Sequence, residues 1–344
     1  MEPVRIGERE VGPGRPVYLI AEAGSNHNGN LETAFRLIDA AAQAGADAVK
    51  FQIFRAEDLY SRRTPGFRYL GDRNVFDLIR GIETPRTWIP GLARHCADRG
   101  IQFLASPFDR DAVDLLDPFV PAYKIASFEI VDLELIAHAA GQGKPMILST
   151  GMASLGEIED ALRTCRDAGN DRVLLLHCSS LYPSPPGVVN LRAMETMARA
   201  FGVPVGLSDH TLGTHIAVGA AAMGACIIEK HFTLDRTMEG PDHAFAVEPE
   251  ELAALVRTVR DLESALGTGV KERSALEDEE MYRKARRSVH ARVSIPRGTV
   301  ITREMLSVKR PGYGILPRDL PLIPGRKAAR DIAEDEWIGW EMLS

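Results

Sequence analysis

The chain has 344 residues, 45% hydrophobic and 26% charged, with a formal net charge of -7. That is enough apolar material for a full core in one or two domains, and the negative balance argues against nucleic acid or an anionic membrane surface as a partner. No apolar run approaches the roughly 20 residues a membrane helix needs. The N-terminal MEPVRIGEREVG has no signal-peptide apolar segment, so a cytoplasmic protein is expected.

After a short lead, residues 17–21 (VYLIA) read as a buried strand, followed by Glu22, Gly24, Ser25, Asn26 and His27. Apolar residues on a 3.6-residue period predict a helix over 31–44 that stops at Gly45. A second strand over 48–51 carries Lys50 near its end. The alternation continues through QFLASP (102–107), AYKIAS (122–127), MILSTG (146–151), VLLLHCSS (173–180), a strand over 204–207 and another over 225–228. Helical patterns lie between most of these: 85–99, 154–168 with Ser154 and Glu157 spaced as a capping box, and 248–266 after the last strand. Eight near-continuous apolar strands alternating with amphipathic helices predict an α/β protein, a closed (β/α)8 TIM barrel. The stretch 61–83 interrupts the short-loop spacing and reads either as a substrate-side loop or as a plain surface insertion. Cys96, Cys165, Cys178 and Cys226 have no CxxC spacing and read as reduced, packed thiols, with only Cys178 at a strand end where chemistry could reach it.

Each strand reads apolar first and polar last: Glu22, Lys50, Ser106, Lys124 with Ser127, Ser149, Ser179 with Ser180, Ser208 with His210, and Glu229 with His231. In a barrel these ends form one mouth, where barrel enzymes place their chemistry. The two strands ending in His210 and His231 are consecutive, so both imidazoles reach the same rim, with Ser208, Asp209, Glu229 and Lys230 beside them and Asp242 and His243 on the following loop. This is a candidate site for a metal and an anion.

The predicted barrel domain spans 1–268, and a charged stretch without strand signals, 269–284, reads as a linker. Residues 285–344 alternate short β runs with turns, with four prolines between 311 and 324, and predict a small β-rich module near the size at which a core becomes marginal.

The motifs IAEAGSNHNG, ADAVKFQ, KIASFE, ILSTGM, HCSSLYP, GLSDHT, EKHFTLDRTMEGPDH and VKRPGYGI resemble, over essentially the whole length, those of the sialic acid synthase family. The resemblance implies a barrel followed by an antifreeze-like (SAF) domain, and condensation of phosphoenolpyruvate with a 2-acetamido-sugar aldehyde to give a nonulosonic acid and phosphate. It carries phosphoenolpyruvate binding to Lys50, Ser106, Lys124, Ser127, Ser149, Ser180 and Ser208. It makes His210 and His231 ligands of a divalent metal, manganese first, with magnesium or cobalt as alternatives. It sets Glu22, Tyr182 and Asp242 toward the sugar or the attacking water. It also has Arg310 reach the partner's active site in a homodimer with exchanged SAF domains. Two lysines and several hydroxyls suit a carboxylate and a phosphate, and two histidines leave open metal positions for the aldehyde. Glu22 is the expected base for water, or else a solvated strand-end carboxylate. Ser106, Ser180, Tyr313 and the 61–83 stretch depart from the pattern and leave the acceptor open among N-acetylmannosamine, the diacetamido hexoses leading to legionaminic or pseudaminic acid, and a further variant. Two alternatives stand beside this: a Schiff-base aldolase using a barrel lysine such as Lys124, and a carbohydrate-binding protein on a degenerate barrel.

Overall fold

The computed structural model describes residues 1–65, 74–272 and 274–344. The chain divides into two compact units, Met1–Gly267 and Thr268–Ser344. The first opens with a hairpin absent from the sequence reading, β1 (Val4–Ile6) paired antiparallel with β2 (Arg9–Val11). Then come β3 (Tyr18–Gly24), α1 (Leu31–Gln43), β4 (Ala48–Ile53), the short α2 (Ala56–Leu59), α3 (Val75–Gly81), α4 (Ile89–Asp98), β5 (Gln102–Pro107) and α5 (Arg110–Leu116). The circuit continues with β6 (Tyr123–Ile125), α6 (Leu133–Gly141), β7 (Met146–Ser149), α7 (Leu155–Asp167), β8 (Val173–Cys178), α8 (Pro186–Val189) and α9 (Ala193–Phe201). It closes with β9 (Val205–Asp209), α10 (His215–Ala222), β10 (Ile227–His231) and α11 (Pro249–Leu266). The eight strands β3 to β10 form one parallel sheet in the order β5-β4-β3-β10-β9-β8-β7-β6, and β5 lies against β6, so the sheet curls into a barrel. No helix among the described residues is long and apolar enough to cross a membrane.

Two apolar cores follow from the period-two alternation of side chains along each strand. Leu19, Ala21, Val49, Phe51, Phe103, Ile125, Leu148, Leu175, Leu207 and Ile228 point outward and pack with the helices. Tyr18, Ile20, Ala48, Leu104, Ala122, Ile147, Leu174, Leu176 and Ile227 form an inner cluster with Val4, Ile6 and Val11, so the hairpin packs into the barrel interior. Gly206 keeps that interior closed to bulk, since a Cβ there would stand 2.4 Å from the Ile227 carbonyl oxygen. All four cysteines are free and buried.

Helix α7 begins with the expected capping box, Ser154 and Glu157 each accepting from the other's backbone. Helix α11 uses Glu248 and Glu251 in the same way. The 61–83 stretch is not simply a loop: Asn74 caps α3 through the Asp77 amide, while residues 66–73 of that stretch lie outside the described residues. The 269–284 stretch likewise contains helical turns, Ala275–Glu277 and Asp278–Ala285, where solvated pairs such as Lys284–Glu280 at 2.6 Å replace an apolar face. In the second unit β11 (Ser288–Ala291) pairs antiparallel with β12 (Leu306–Lys309), and isolated bridges including Ile295–Ile332 and Val300–Lys327 extend the pattern. Its own core contains Val289, Ile295, Ile301, Leu306, Ile315, Ile323 and Ile338.

Candidate active site

The strands run further than their apolar stretches. Expected to end at 207 and 228, they reach Asp209 and His231, so the polar residues belong to the barrel ladder. Alternation then decides where each side chain goes. Two residues beyond Ile20, Ala48, Leu104, Ala122, Ile147 and Ile227 come Glu22, Lys50, Ser106, Lys124, Ser149 and Glu229, all buried and all lining one cleft. Ser127, Tyr182, Ser208, His210, His231 and Asp242 line it too.

The cleft floor is an ion cluster. Lys50 Nζ lies 2.6 Å from Glu22 and 3.7 Å from Glu229, and donates to Ser106 Oγ at 3.3 Å. Lys124 Nζ is 3.3 Å from Glu229, and Ser208 Oγ donates to the same carboxylate at 3.1 Å. Burial alone would push the Lys50 ammonium down, but Glu22 and Glu229 hold it above the ordinary lysine value. The two carboxylates diverge. Burial raises Glu22, with Lys50 only partly opposing it, whereas Lys124 and Lys50 together overcome burial and hold Glu229 below the usual range. Gln52 donates to Glu22 at 2.8 Å. Asp242 is pushed up to about 6 by burial, with Glu22 adding to it.

Above this floor His210 and His231 face each other with ring centroids 5.2 Å apart, flanked by Tyr182 at 4.4 Å from His210 and Phe245 at 5.1 Å from His231. His210 Nδ1 sits 2.9 Å from the Ser179 carbonyl, which can only accept, so this nitrogen donates and, in the neutral ring, Nε2 keeps its lone pair. Cys178 Sγ is 3.6 Å from the same Nδ1. Burial and the neighbouring positive charge hold His231 neutral, well below the ordinary imidazole value. Its buried Nδ1 has no hydrogen-bond partner and lies 3.7 Å from Asp242. Two such nitrogens fit a divalent ion, although among the described residues no group of three or more His, Cys, Asp or Glu is gathered as a metal cluster. Ser149 Oγ is also buried without a partner.

Two expected site residues stand apart. Ser180 lines a neighbouring cavity bounded by Thr150, Met152, His177 and Met197 instead of the main cleft. A Cβ on Gly151 would come 2.2 Å from its Oγ and 2.9 Å from that of Ser127, so Ser180 lies just behind the cleft wall. Arg310 belongs to the second unit, exposed and followed by a cis peptide to Pro311, whose carbonyl accepts from Ser288 Oγ at 2.6 Å. The sequence reading places Glu229 near the histidines without a role, yet it bridges both lysines. The signal was available: Glu229 and His231 are two apart in one strand and must share a face. Gln52 was missed, as were Leu78 and Ile79 of α3, which line the cleft.

The NeuB family profile matches residues 37–271 and the SAF domain profile residues 286–344. The chain is 41% identical to N,N'-diacetyllegionaminic acid synthase of Campylobacter jejuni over 94% of this chain and 99% of that one. It is 35% identical to human N-acetylneuraminate-9-phosphate synthase, covering 97% and 95%. The solved N-acetylneuraminic acid synthetase of Leptospira borgpetersenii, bound to citrate, superposes with a TM-score of 0.73 at 37% identity, covering 81% of this chain and 95% of that one. The chain is thus a member of the NeuB family, an enzyme of the sialic acid synthase type with a C-terminal SAF domain.

Proposed function

We propose that the cleft condenses phosphoenolpyruvate with the open-chain aldehyde of a 2-acetamido sugar and water, giving a nine-carbon 2-keto acid and phosphate. The observation that carries this reading is the buried floor, where Lys50 and Lys124 converge with the hydroxyls of Ser106, Ser127, Ser149 and Ser208. Two ammonium groups match a ligand with a carboxylate and a phosphate at opposite ends, and the unpartnered Ser149 Oγ is a donor held ready for one of them. The relatives' printed names, which describe legionaminic and neuraminate-9-phosphate synthases, support the same chemistry.

In the proposed reaction C3 of the enol attacks the aldehyde carbon, and positive charge develops at C2. Water adds there, and phosphate leaves with the bridging oxygen as the C2–O bond breaks. Glu22 takes the water proton, because its raised affinity for a proton makes it the stronger base of the two floor carboxylates. Glu229 stays ionised between the lysines and fixes their positions. His210 Nε2 and His231 would hold a divalent ion, manganese first with magnesium or cobalt as alternatives. When bound, that ion supplies a Lewis acid for the aldehyde carbonyl. Tyr182 lies against His210 with the rings tilted at 44° and, with Asp242, bounds the space for the sugar. The proposal includes a homodimer in which Arg310 of each chain reaches the other's cleft, a role suited to a guanidinium that stays charged while donating to amide and hydroxyl oxygens. The ion pairs of both lysines weigh against a Schiff-base aldolase, which needs a free neutral amine.

The test is phosphate release from phosphoenolpyruvate with Mn²⁺ across a panel of 2-acetamido sugars. With ¹⁸O in the bridging position, the label must appear in phosphate; unlabelled phosphate would mean P–O cleavage and refute the route.

A further inference from the structure

After β10 the chain leaves the barrel and returns to it within residues 232–247. Phe232 bridges Val247, the Thr233 amide donates to the Val247 carbonyl at 3.0 Å, and the Val247 amide donates to that of His231 at 2.9 Å. Between these ends the loop brings Asp242 to the cleft. Among the described residues the Asp242 carboxylate has no hydrogen bond of its own and faces His231 Nδ1 at 3.7 Å. Its aim is therefore set by the backbone that carries it.

The next residue, His243, is fully buried and does not line the cleft. Its hydrogen bonds admit one neutral tautomer. Asn28 donates its amide to the Glu239 carbonyl at 2.8 Å, so its Oδ1 turns to His243 Nε2 at 3.3 Å and can only accept. Nε2 therefore carries the proton. The bare Nδ1 takes the Thr233 hydroxyl at 2.6 Å, a shorter contact than that hydroxyl makes to the Asp235 carbonyl at 3.2 Å. Gly240 closes the fit, since a Cβ there would stand 2.6 Å from His243 Cδ2 and 3.2 Å from Asn28 Oδ1. The loop that presents Asn28 is braced in turn: His27 Nδ1 accepts from the Gly29 amide at 3.0 Å, leaving Nε2 to donate to Thr84 Oγ1 at 2.8 Å, and Asn26 donates to the Phe232 carbonyl at 2.8 Å.

We infer that His243 is a positioning residue for the proposed reaction: clamped between Thr233 and Asn28, it fixes the backbone of Asp242 and so holds that carboxylate at the sugar side of the cleft. The inference rests on the condensation reading above and deepens it. A buried imidazole with both nitrogens engaged cannot turn without orphaning one of them, which makes it a stiff anchor for the residue beside it. Thr233 and Asn28 come from opposite sides of the ring, one from the same loop and one from the loop after β3, so the clamp ties the last barrel strand to the first. A displaced carboxylate costs sugar binding, while the floor that meets phosphoenolpyruvate is untouched.

The experiment measures phosphate release by the full chain with phosphoenolpyruvate and Mn²⁺. The acceptor is whichever of N-acetylmannosamine and 2,4-diacetamido-2,4,6-trideoxymannose the parent turns over faster. His243→Leu is expected to raise KM for that sugar about 10-fold, and the nearly isosteric Thr233→Val about 3-fold or more, with KM for phosphoenolpyruvate within about 2-fold of the parent. His243→Gln keeps an amide donor and acceptor on the buried side chain, and its sugar KM is expected within about 3-fold of the parent. Thermal melts confirm the fold, and Thr233→Val with His243→Gln carries the test if His243→Leu does not fold. A sugar KM unchanged in folded variants, parallel rises in both KM values, or His243→Gln as impaired as His243→Leu overturns the inference and leaves the condensation reading intact. Phosphate release by the parent with neither sugar overturns both.

Discussion

Lys230 and Asp209 offer the sharpest test of how the histidines are held. Their strand parity, shared with Ile228 and Leu207, turns them away from the cleft and toward the helices. There Lys230 Nζ meets Asp209 Oδ2 at 2.7 Å, with side-chain exposures of 2% and 0%. Lys230 also donates to the Thr211 carbonyl, and Asp209 Oδ1 accepts from the Thr211 amide at 2.9 Å, so the pair pins the backbone on either side of His210. Burial pushes the Lys230 ammonium below the ordinary lysine value even with Asp209 in contact, so the aspartate does not fully offset desolvation. Lys230→Met therefore leaves a buried carboxylate with one amide donor and is expected to cost about 3–5 kcal/mol. Lys230→Met combined with Asp209→Asn removes both charges, keeps the Oδ1 acceptor, and is expected to recover to within about 1 kcal/mol of the parent. Urea unfolding followed by far-UV circular dichroism reads this directly, since α1 to α11 all belong to the barrel unit. A single variant costing under about 1 kcal/mol, or a double variant as unstable as the single, would refute the argument.

Chelation should abolish activity, and His210→Ala or His231→Ala should lose metal on dialysis and resist rescue by moderate Mn²⁺, checked by elemental analysis beside phosphate release; full activity in excess chelator sinks the metal assignment. Glu129 is raised by burial from 4.5 to about 7, against the pull of Lys124. The folded chain therefore binds more protons between those values, and its stability falls by about 3 kcal/mol as pH rises through them. Unfolding at pH 4.5 and pH 8 should show a loss about 3 kcal/mol smaller in Glu129→Gln than in the parent, the remainder coming from other raised carboxyls such as Asp242. Mixing Arg310→Ala with His210→Ala chains should restore activity towards a quarter of the parent, since random exchange gives roughly half heterodimer with one good site in two. Activity no higher than the separate mutants, with exchange demonstrated, places Arg310 outside a shared site.

Burial on both faces explains what the sequence shows and what it hides. Buried strands read as continuous apolar runs, which makes the eight-fold alternation plain but masks which residues face inward. Strand ends were therefore drawn at the first polar residue, two or three positions short in β9 and β10. The β1–β2 hairpin went unread because two three-residue strands carry too few positions for a periodic signal. Helix α3 left only its Asn74–Asp77 cap as a trace, and its cleft-lining Leu78 and Ile79 have no pattern apart from tertiary context. Ser180 lies two residues past the end of β8, where strand parity no longer governs direction, and it lines the neighbouring cavity, with its Oγ close to the same face of Gly151 as that of Ser127.

The floor carboxylates show how one ladder produces two roles. Glu22 and Glu229 sit on adjacent strands, β3 and β10, and both face inward; Glu229 pairs across the ladder with Ile20, one inward step before Glu22. Their chemistry separates only through their neighbours. Glu229 lies between two ammonium groups and a serine hydroxyl, so its charge is compensated from three directions. Glu22 has one lysine and one amide, and the Glu229 charge works against it. Environments that push paired carboxylates apart separate a permanent counter-ion from a proton acceptor. The lysines gain from the same arrangement: with Glu229 fixed as an anion they stay charged in a buried site, ready for a ligand that brings a carboxylate and a phosphate of its own. When that ligand arrives, the added negative charge raises Glu22's proton affinity further, strengthening the base at the step of the proposed reaction where water must lose a proton.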